Sequence, residues 1–246
     1  MNAHGKVALV TGGRRIGAVV AQALARAGMD VALTYRRSRE EAESTAARIR
    51  ALDRRAETLQ ADLALADECR RVVADTAARL GRLDVLVAMA SLYSPRAIAE
   101  MTAAEWDAQM AVDLRSSFLC AQAAADIMKS HGGGRIVLFS DWLAVSGRPR
   151  YVGYAHYYVA KAAVKALAEA LALELAPDGI LVNAIAPGPI VPPPELSEDE
   201  REAVASATPL SRWGGEEEIA KAVMFLVESD FVTGETIRVD GGRHIR

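Results

Sequence analysis

Tyr157 and Lys161 stand four residues apart in an Ala-rich stretch of helical spacing, so their side chains share one face. A free phenol near pKa 10 holds its proton too tightly for exchange at neutral pH. A neighbouring ammonium stabilises the phenolate and brings the phenol towards the working range, which is the chemistry of general acid–base catalysis. The same lysine keeps donors for the hydroxyls of a bound ribose. Tyr–Lys pairs at this spacing are common on helix surfaces and interfaces, so this pair takes its meaning from its surroundings. Just upstream a strand-like run ends in Phe139-Ser140-Asp141. Strand alternation points Ser140 away from the side that Asp141 faces, which makes Asp141 the expected polar partner. Tyr154 competes with Tyr157 as the working phenol, but its four-on residue is Tyr158 and carries no charge.

A second constellation lies near the N-terminus. Thr11-Gly12-Gly13-Arg14-Arg15-Ile16-Gly17 follows an apolar run and opens a helical pattern. Glycines there permit a tight turn and let backbone N–H groups approach a pyrophosphate at the helix N-terminus. The next apolar run ends in Thr34-Tyr35-Arg36-Arg37-Ser38, with no carboxylate at its tip to bind a ribose 2′-hydroxyl. Arg14, Arg15, Arg36 and Arg37 can converge on a 2′-phosphate with Ser38 as an added donor, which predicts NADP(H) over NAD(H). The plain alternative is a solvated basic rim. Asp62, after the third run, suits either an adenine amino group or a helix or turn cap.

The elements that must hold these residues alternate strictly. Strands are expected at Val7–Thr11, Val31–Tyr35, Glu57–Gln60, Asp84–Ala88, Arg135–Ser140, Leu181–Ala186 and Thr236–Val239. Most are apolar on both faces, as in parallel strands buried between helical layers. Helices are expected at Ile16–Ala27, Arg39–Leu52, Asp67–Leu80, Thr102–Lys129, Tyr154–Leu175 and Glu216–Val227. This predicts an α/β fold, a single-domain Rossmann fold over residues 1–246 whose doubly wound, seven-stranded parallel sheet has helices on both faces. The proline-rich stretch Pro187–Pro194 and the charged segment after it interrupt the alternation on the ligand-binding edge. They read as a substrate lid around residues 188–210, or as a solvated excursion.

Bulk properties narrow the function. The 246 residues carry a net charge of −3, which offers no basic field for a nucleic acid. The chain contains no run long enough to span a bilayer and opens on a polar segment unlike a secretory signal, so a cytoplasmic protein is expected. Cys69 and Cys120 show no paired spacing, and neither disulfide nor metal chemistry is predicted. The expected partner is a small-molecule substrate.

These residues together resemble the short-chain dehydrogenase/reductase family over nearly the whole chain. The resemblance rests on the glycine turn, Val87–Ser91, Tyr157 with Lys161, Ala186-Pro187-Gly188 and Val239-Asp240-Gly241-Gly242. It is closest to the pteridine reductase branch, through Arg15-Ile16-Gly17, Arg37-Ser38, Asp141 in place of the usual serine, and Ala90–Tyr93. The resemblance implies cofactor contacts from Gly12, Arg14, Arg15, Ile16 and Gly17, and from Arg36, Arg37 and Ser38. It adds Asp62, Leu63, Ala88 and Ala90, then Pro187, Gly188 and Ile190, with Tyr157 and Lys161 at the reacting end. It implies a catalytic group of Tyr157, Lys161, Asp141 and Asp113, the last standing where relatives hold a relay water with asparagine. Substrate contacts fall to Ser91, Tyr93, Asp141 and Trp142. Tyr93 is expected to stack on a flat ring, and Trp142 either to complete that sandwich or to pack beneath the lid. Relatives are commonly homotetramers, which implies a homotetramer or homodimer here.

The chain also departs from its relatives. The glycine turn is one residue shorter than usual, Ala88 and Met89 replace two bracing asparagines, and the interval from Asp141 to Tyr157 is three residues longer than the usual serine-to-tyrosine interval. Three functions follow as expectations: NADPH-dependent hydride transfer to a C=N or C=O bond of a pterin-like substrate, carbonyl or 3-oxoacyl thioester reduction (or the related alcohol oxidation), and cofactor binding with little catalysis.

Overall fold

Alternating aliphatic residues divide each central strand between two cores. Val7 and Leu9 of the first strand face one side, while Ala8 and Val10 face the other. Leu86 and Ala88, then Ile136 and Leu138, repeat the first orientation; Val85 and Val87, then Val137 and Phe139, repeat the second. Burying one such aliphatic side chain stabilises the fold by about 1.5–3 kcal/mol, so both sheet faces need a helical cover.

The computed structural model describes residues 1–147 and 149–246. Its strands are β1 (Val7–Thr11), β2 (Asp30–Tyr35), β3 (Ala56–Gln60), β4 (Val85–Ala88), β5 (Gly134–Phe139), β6 (Ile180–Pro187) and β7 (Thr236–Val239). They form one seven-stranded sheet in the order β3-β2-β1-β4-β5-β6-β7, with every pairing parallel. Strands are added outward in one direction from β1 to β3 and in the other from β4 to β7, so the switch point where ligands bind in such folds lies between β1 and β4.

Helices α1 (Ile16–Arg26), α2 (Arg39–Arg50), α3 (Ala66–Leu80), α7 (Ala155–Leu175) and α9 (Glu216–Glu228) match expectation to within two residues. Gly81, with φ of 87°, stops α3 in the left-handed conformation. Among the described residues no helix is long and apolar enough to cross a membrane.

Three features differ from the sequence reading. The expected helix Thr102–Lys129 is split into α4 (Ala103–Gln109), a π-helical stretch Met110–Arg115, and α5 (Ser116–Ser130). The π-turn widens around Asp113, whose carboxylate turns inward to several donors. A five-residue helix, α6 (Trp142–Ser146), follows β5 and is capped by Asp141, whose Oδ1 accepts from the Leu143 N–H at 2.8 Å. The segment expected as a lid carries α8 (Glu198–Ser206), begun by a reciprocal capping box between Ser197 and Glu200.

Candidate active site

The glycine turn closes by contacts that leave no room for larger residues. A Cβ on Gly17 would lie 2.1 Å from the Gly12 carbonyl oxygen. Gly12, at φ of 78°, runs so close to the β4 end that a Cβ would meet backbone atoms of Met89 and Ala90 at 3.3 Å. The missing turn residue has a consequence at Arg15, which takes φ 47° and ψ −111° as the residue before α1. That is glycine-like backbone on a side-chain-bearing residue, so the turn holds local strain. Threonines do the bracing expected of asparagines. Thr11 Oγ1 accepts from Met89 N–H at 3.0 Å and Ala90 N–H at 3.3 Å, and Thr34 Oγ1 accepts from Gly12 N–H at 3.1 Å.

Beside this turn lies a groove of about 390 Å³. Gly12, Gly13 and Arg14 form its floor, Arg36, Arg37 and Ser38 one rim, and Asp62 and Leu63 the far end. Ala90 and Ser91 close it towards the sheet centre. The floor, close-packed at Gly12 and Gly13 beside the α1 N-terminus, fits a dinucleotide pyrophosphate. Charges on the rim are partly paired: Arg36 meets Asp62 at 2.9 Å and Arg14 meets Glu41 at 3.1 Å. Asp62 also accepts from the Ala64 N–H at 3.1 Å, so the turn-capping reading is realised.

Other expected cofactor residues lie elsewhere. Ala88 is a buried strand residue paired with Thr11. Ile16 and Gly17 begin α1. Pro187 ends β6, and the Gly188 N–H donates to Val239 O at 2.9 Å. Ile190 is buried against Gly214.

The residues expected to transfer the proton assemble near the carboxyl end of β5. The Tyr157 hydroxyl donates to Asp141 Oδ2 at 3.0 Å. Lys161, 3% exposed, pairs with Asp113 at 3.0 Å and also donates to Phe139 O at 3.0 Å. Its Nζ lies 5.6 Å from the Tyr157 ring centre. Ser140 points away from the reacting side and donates to Lys161 O at 2.7 Å, as alternation requires.

This geometry corrects the expected electrostatics. Burial, with Asp141 and then Asp113 adding negative charge, pushes the Tyr157 phenol well above its ordinary value. The lysine expected to lower it is already paired. Burial also raises the Asp141 carboxyl, against the opposing pull of the Leu143 N–H, Tyr157 and Lys161.

A second cavity, of about 370 Å³, opens over Tyr157 and Asp141. Its walls include Tyr93, Tyr151 and Tyr154. Tyr93 stacks on Tyr154 with centroids 4.7 Å apart and meets Tyr157 edge-on at 5.0 Å. Ser91 and Leu92 line the first groove and Tyr93 the second, so the loop after β4 separates the two. Ser91, expected at the substrate, lies on the groove side and donates to Asp113.

Trp142 does not join the aromatic wall. It is 4% exposed, with the Arg150 and Arg243 guanidinium carbons 5.2 Å and 5.9 Å from its ring. It packs against these two guanidinium groups and lines neither cavity. The longer connection before α7 is tied down where Arg96 N–H donates to Gly153 O at 2.8 Å; Arg148, within it, lies outside the described residues. Sequence reasoning missed Gln109 and Tyr151, and weighed Tyr154 only as a rival to Tyr157 for the working phenol. The signal available for the tyrosines was their density between residues 151 and 158.

Comparison with known proteins fixes the family. Residues 11–244 match a family model described as enoyl-(acyl carrier protein) reductase. The chain belongs to the short-chain dehydrogenase/reductase family. It is 39% identical to the short-chain reductase protein NovJ of Streptomyces niveus, across 96% of this chain and 93% of that one. It is 37% identical to the 3-oxoacyl-[acyl-carrier-protein] reductase FabG of Staphylococcus aureus, across 98% of both. A short-chain dehydrogenase of Burkholderia cenocepacia, solved in complex with NADP, superposes with a TM-score of 0.92 at 35% identity, covering 99% of each chain. The protein is therefore an oxidoreductase of this family, with the single-domain Rossmann-type sheet its members share.

Proposed function

We propose that the protein is an NADPH-dependent carbonyl reductase acting on a 3-oxoacyl thioester or a closely related ketone. The observation that carries this reading is the Tyr157 hydroxyl, held by Asp141 at 3.0 Å and opening onto a tyrosine-lined cavity beside the cofactor groove. The FabG relative, named for 3-oxoacyl thioester reduction, supports the substrate class. The NADP-bound relative, with Arg37 and Ser38 on the groove rim, supports the cofactor.

When bound, NADPH supplies a hydride to the carbonyl carbon. Gly12, Gly13 and the start of α1 would hold its pyrophosphate, and Arg37 with Ser38 its 2′-phosphate. Tyr157 donates its proton to the carbonyl oxygen as charge develops there, and Asp141 orients that hydroxyl. Tyr93 and Tyr154 form an apolar wall that positions the substrate and displaces water. The segment 188–210, including α8, serves as the lid. Phe118 of α5, with Val159 and Leu173 of α7, leaves apolar area exposed for subunit contact in a homotetramer or homodimer.

A second reading, reduction of a pterin-like heterocycle, draws on Asp141. Burial favours its protonated form, which could donate to a ring nitrogen stacked on Tyr93. One assay separates the readings: NADPH oxidation with an acetoacetyl thioester, dihydrobiopterin and simple ketones, repeated with Tyr157→Phe. Thioester turnover lost in the variant supports the first reading. Turnover of dihydrobiopterin alone would replace it with the second, and no turnover on any substrate would sink both.

A further inference from the structure

Asp113 is 1% exposed, and three hydrogen-bond donors and one ion-pair partner, from three segments, meet its carboxylate. Ser91 Oγ approaches at 2.5 Å and Leu92 N–H at 3.0 Å from the loop after β4. Gln109 Nε2 approaches at 2.7 Å, and Lys161 Nζ from α7 at 3.0 Å. Gln109 cannot turn its oxygen to Asp113 without losing the 3.0 Å bond from Nε2 to Leu92 O. An ionised carboxylate is acceptor-only, with about four lone-pair sites, and satisfies this set completely. An asparagine of the same shape would turn an NH₂ group against donors. The surroundings are therefore built for a carboxylate, and the π-turn at Met110–Arg115 is what swings it inward.

The consequence reaches Tyr157 through charge. Lys161 spends one donor on Asp113 and another on Phe139 O, and stands 5.6 Å from the phenol ring centre. The groups facing Tyr157 are Asp141 from the end of β5, Asp113 from the π-turn, Lys161 and Tyr154 from α7 and its N-cap, and Tyr93 from the loop after β4. Asp113 thus offsets the one ammonium near a hydroxyl that already donates to Asp141.

We propose that Asp113 is a positioning residue, the fixed counter-ion of Lys161, and that this pairing keeps Tyr157 protonated throughout the neutral range so that the site works as a proton donor. The proposal rests on the reading of Tyr157 as the acid of the reaction. Reduction converts a carbonyl, NADPH and one proton into an alcohol and NADP⁺. The hydride electron pair goes to carbon, the Tyr157 proton goes to oxygen, and the phenolate recovers a proton from solvent. Alcohol oxidation needs the phenolate beforehand, so its rate should climb with pH without levelling until strongly alkaline conditions.

The test is an ultraviolet titration of the phenolate band, wild type minus Tyr157→Phe, with no substrate present. Tyr157 should stay un-ionised up to at least about pH 10, the ordinary tyrosine value. Asp113→Asn should lower its ionisation by about one pH unit or more, since Lys161 is then uncompensated. In Asp113→Asn/Lys161→Met the lowering should vanish, a reversal that loss of structure alone would not produce. Ionisation of wild-type Tyr157 near neutrality would overturn the proposal, as would a lowering that survives loss of the lysine. If Asp113→Asn fails to fold, ionisation of wild-type Tyr157 below about pH 10 still overturns the proposal. Because no substrate is used, lack of thioester turnover would sink the proposed function and leave this inference to stand or fall separately.

Discussion

The Tyr157 hydroxyl donates to Asp141, 16 residues back along the chain at 3.0 Å, while the lysine four residues ahead of it donates to Phe139 O. The phenol is thus oriented by an acceptor from the strand end, while the lysine on its own helix is held from the opposite side by Asp113. Tyr157→Phe removes the proton and keeps the ring that packs against Tyr93. Reduction should fall by about 10²–10⁴-fold with NADPH affinity nearly unchanged. Steady-state rates and a fluorescence titration of NADPH check both halves. A variant retaining most of its rate would remove Tyr157 from the chemistry.

Asp141 carries a signed stability prediction. Burial raises its carboxyl above the usual 3.8, so the folded chain holds this proton to higher pH than the unfolded chain. Its contribution to stability is full at acid pH and is lost as pH rises from that value through the raised one. Asp141→Asn, which stays neutral and can still cap α6, should gain in Tm over wild type at about pH 8 and lose that advantage near pH 4. An equal gain at both would place its origin outside the carboxylate's titration.

Cofactor choice turns on Arg37. Arg36 and Arg14 already have carboxylate partners, whereas Arg37 lines the groove rim beside Ser38. Arg37→Glu should weaken NADPH by about tenfold or more and NADH far less, since a charge-assisted bond to phosphate is at stake. Equal weakening of the two would show that this tip does not read the 2′-phosphate.

Much of the architecture was legible because seven short apolar runs and their intervening helical patterns each carry a strong local signal. That Tyr157, Lys161 and Asp141 lie near one another was legible too, from helix spacing in its strand-helix context and from strand parity. Partner choice was not. Nothing local says that Asp113 meets Lys161, 48 positions later, or that Arg36 closes on Asp62. The five residues of α6 are too few to show a period, and a π-turn inside an apolar helix leaves the hydrophobic pattern almost unchanged.

Gly17 tests the shortened turn. Its added Cβ would sit 2.1 Å from the Gly12 carbonyl oxygen, a backbone atom that cannot swing aside. Gly17→Ala should destabilise the protein by about 1–3 kcal/mol and abolish tight NADPH binding. Unchanged melting and binding would mean that the turn has another conformation in solution.

Substrate shape should be read by Tyr93, which is half exposed and stacked on Tyr154. Tyr93→Ala should raise KM several-fold with a smaller change in kcat, because it removes a wall and not a proton carrier. A selective loss of kcat would place Tyr93 in the reacting group.

The π-stretch between α4 and α5 has a meaning for how this chain can vary. A π-turn holds one residue more than an α-turn, so it offsets the helix on either side by about 100°. Deleting one residue from Met110–Arg115 would leave an unbroken helix with good propensity throughout, yet rotate Asp113 away from Lys161. The stretch is a phase joint, with one half-helix tied through Gln109 to the loop after β4 and the other to the core against the sheet. The carboxylate that sets the charge of the site sits at the seam, so a change of one residue in length could retune the chemistry while the fold persists.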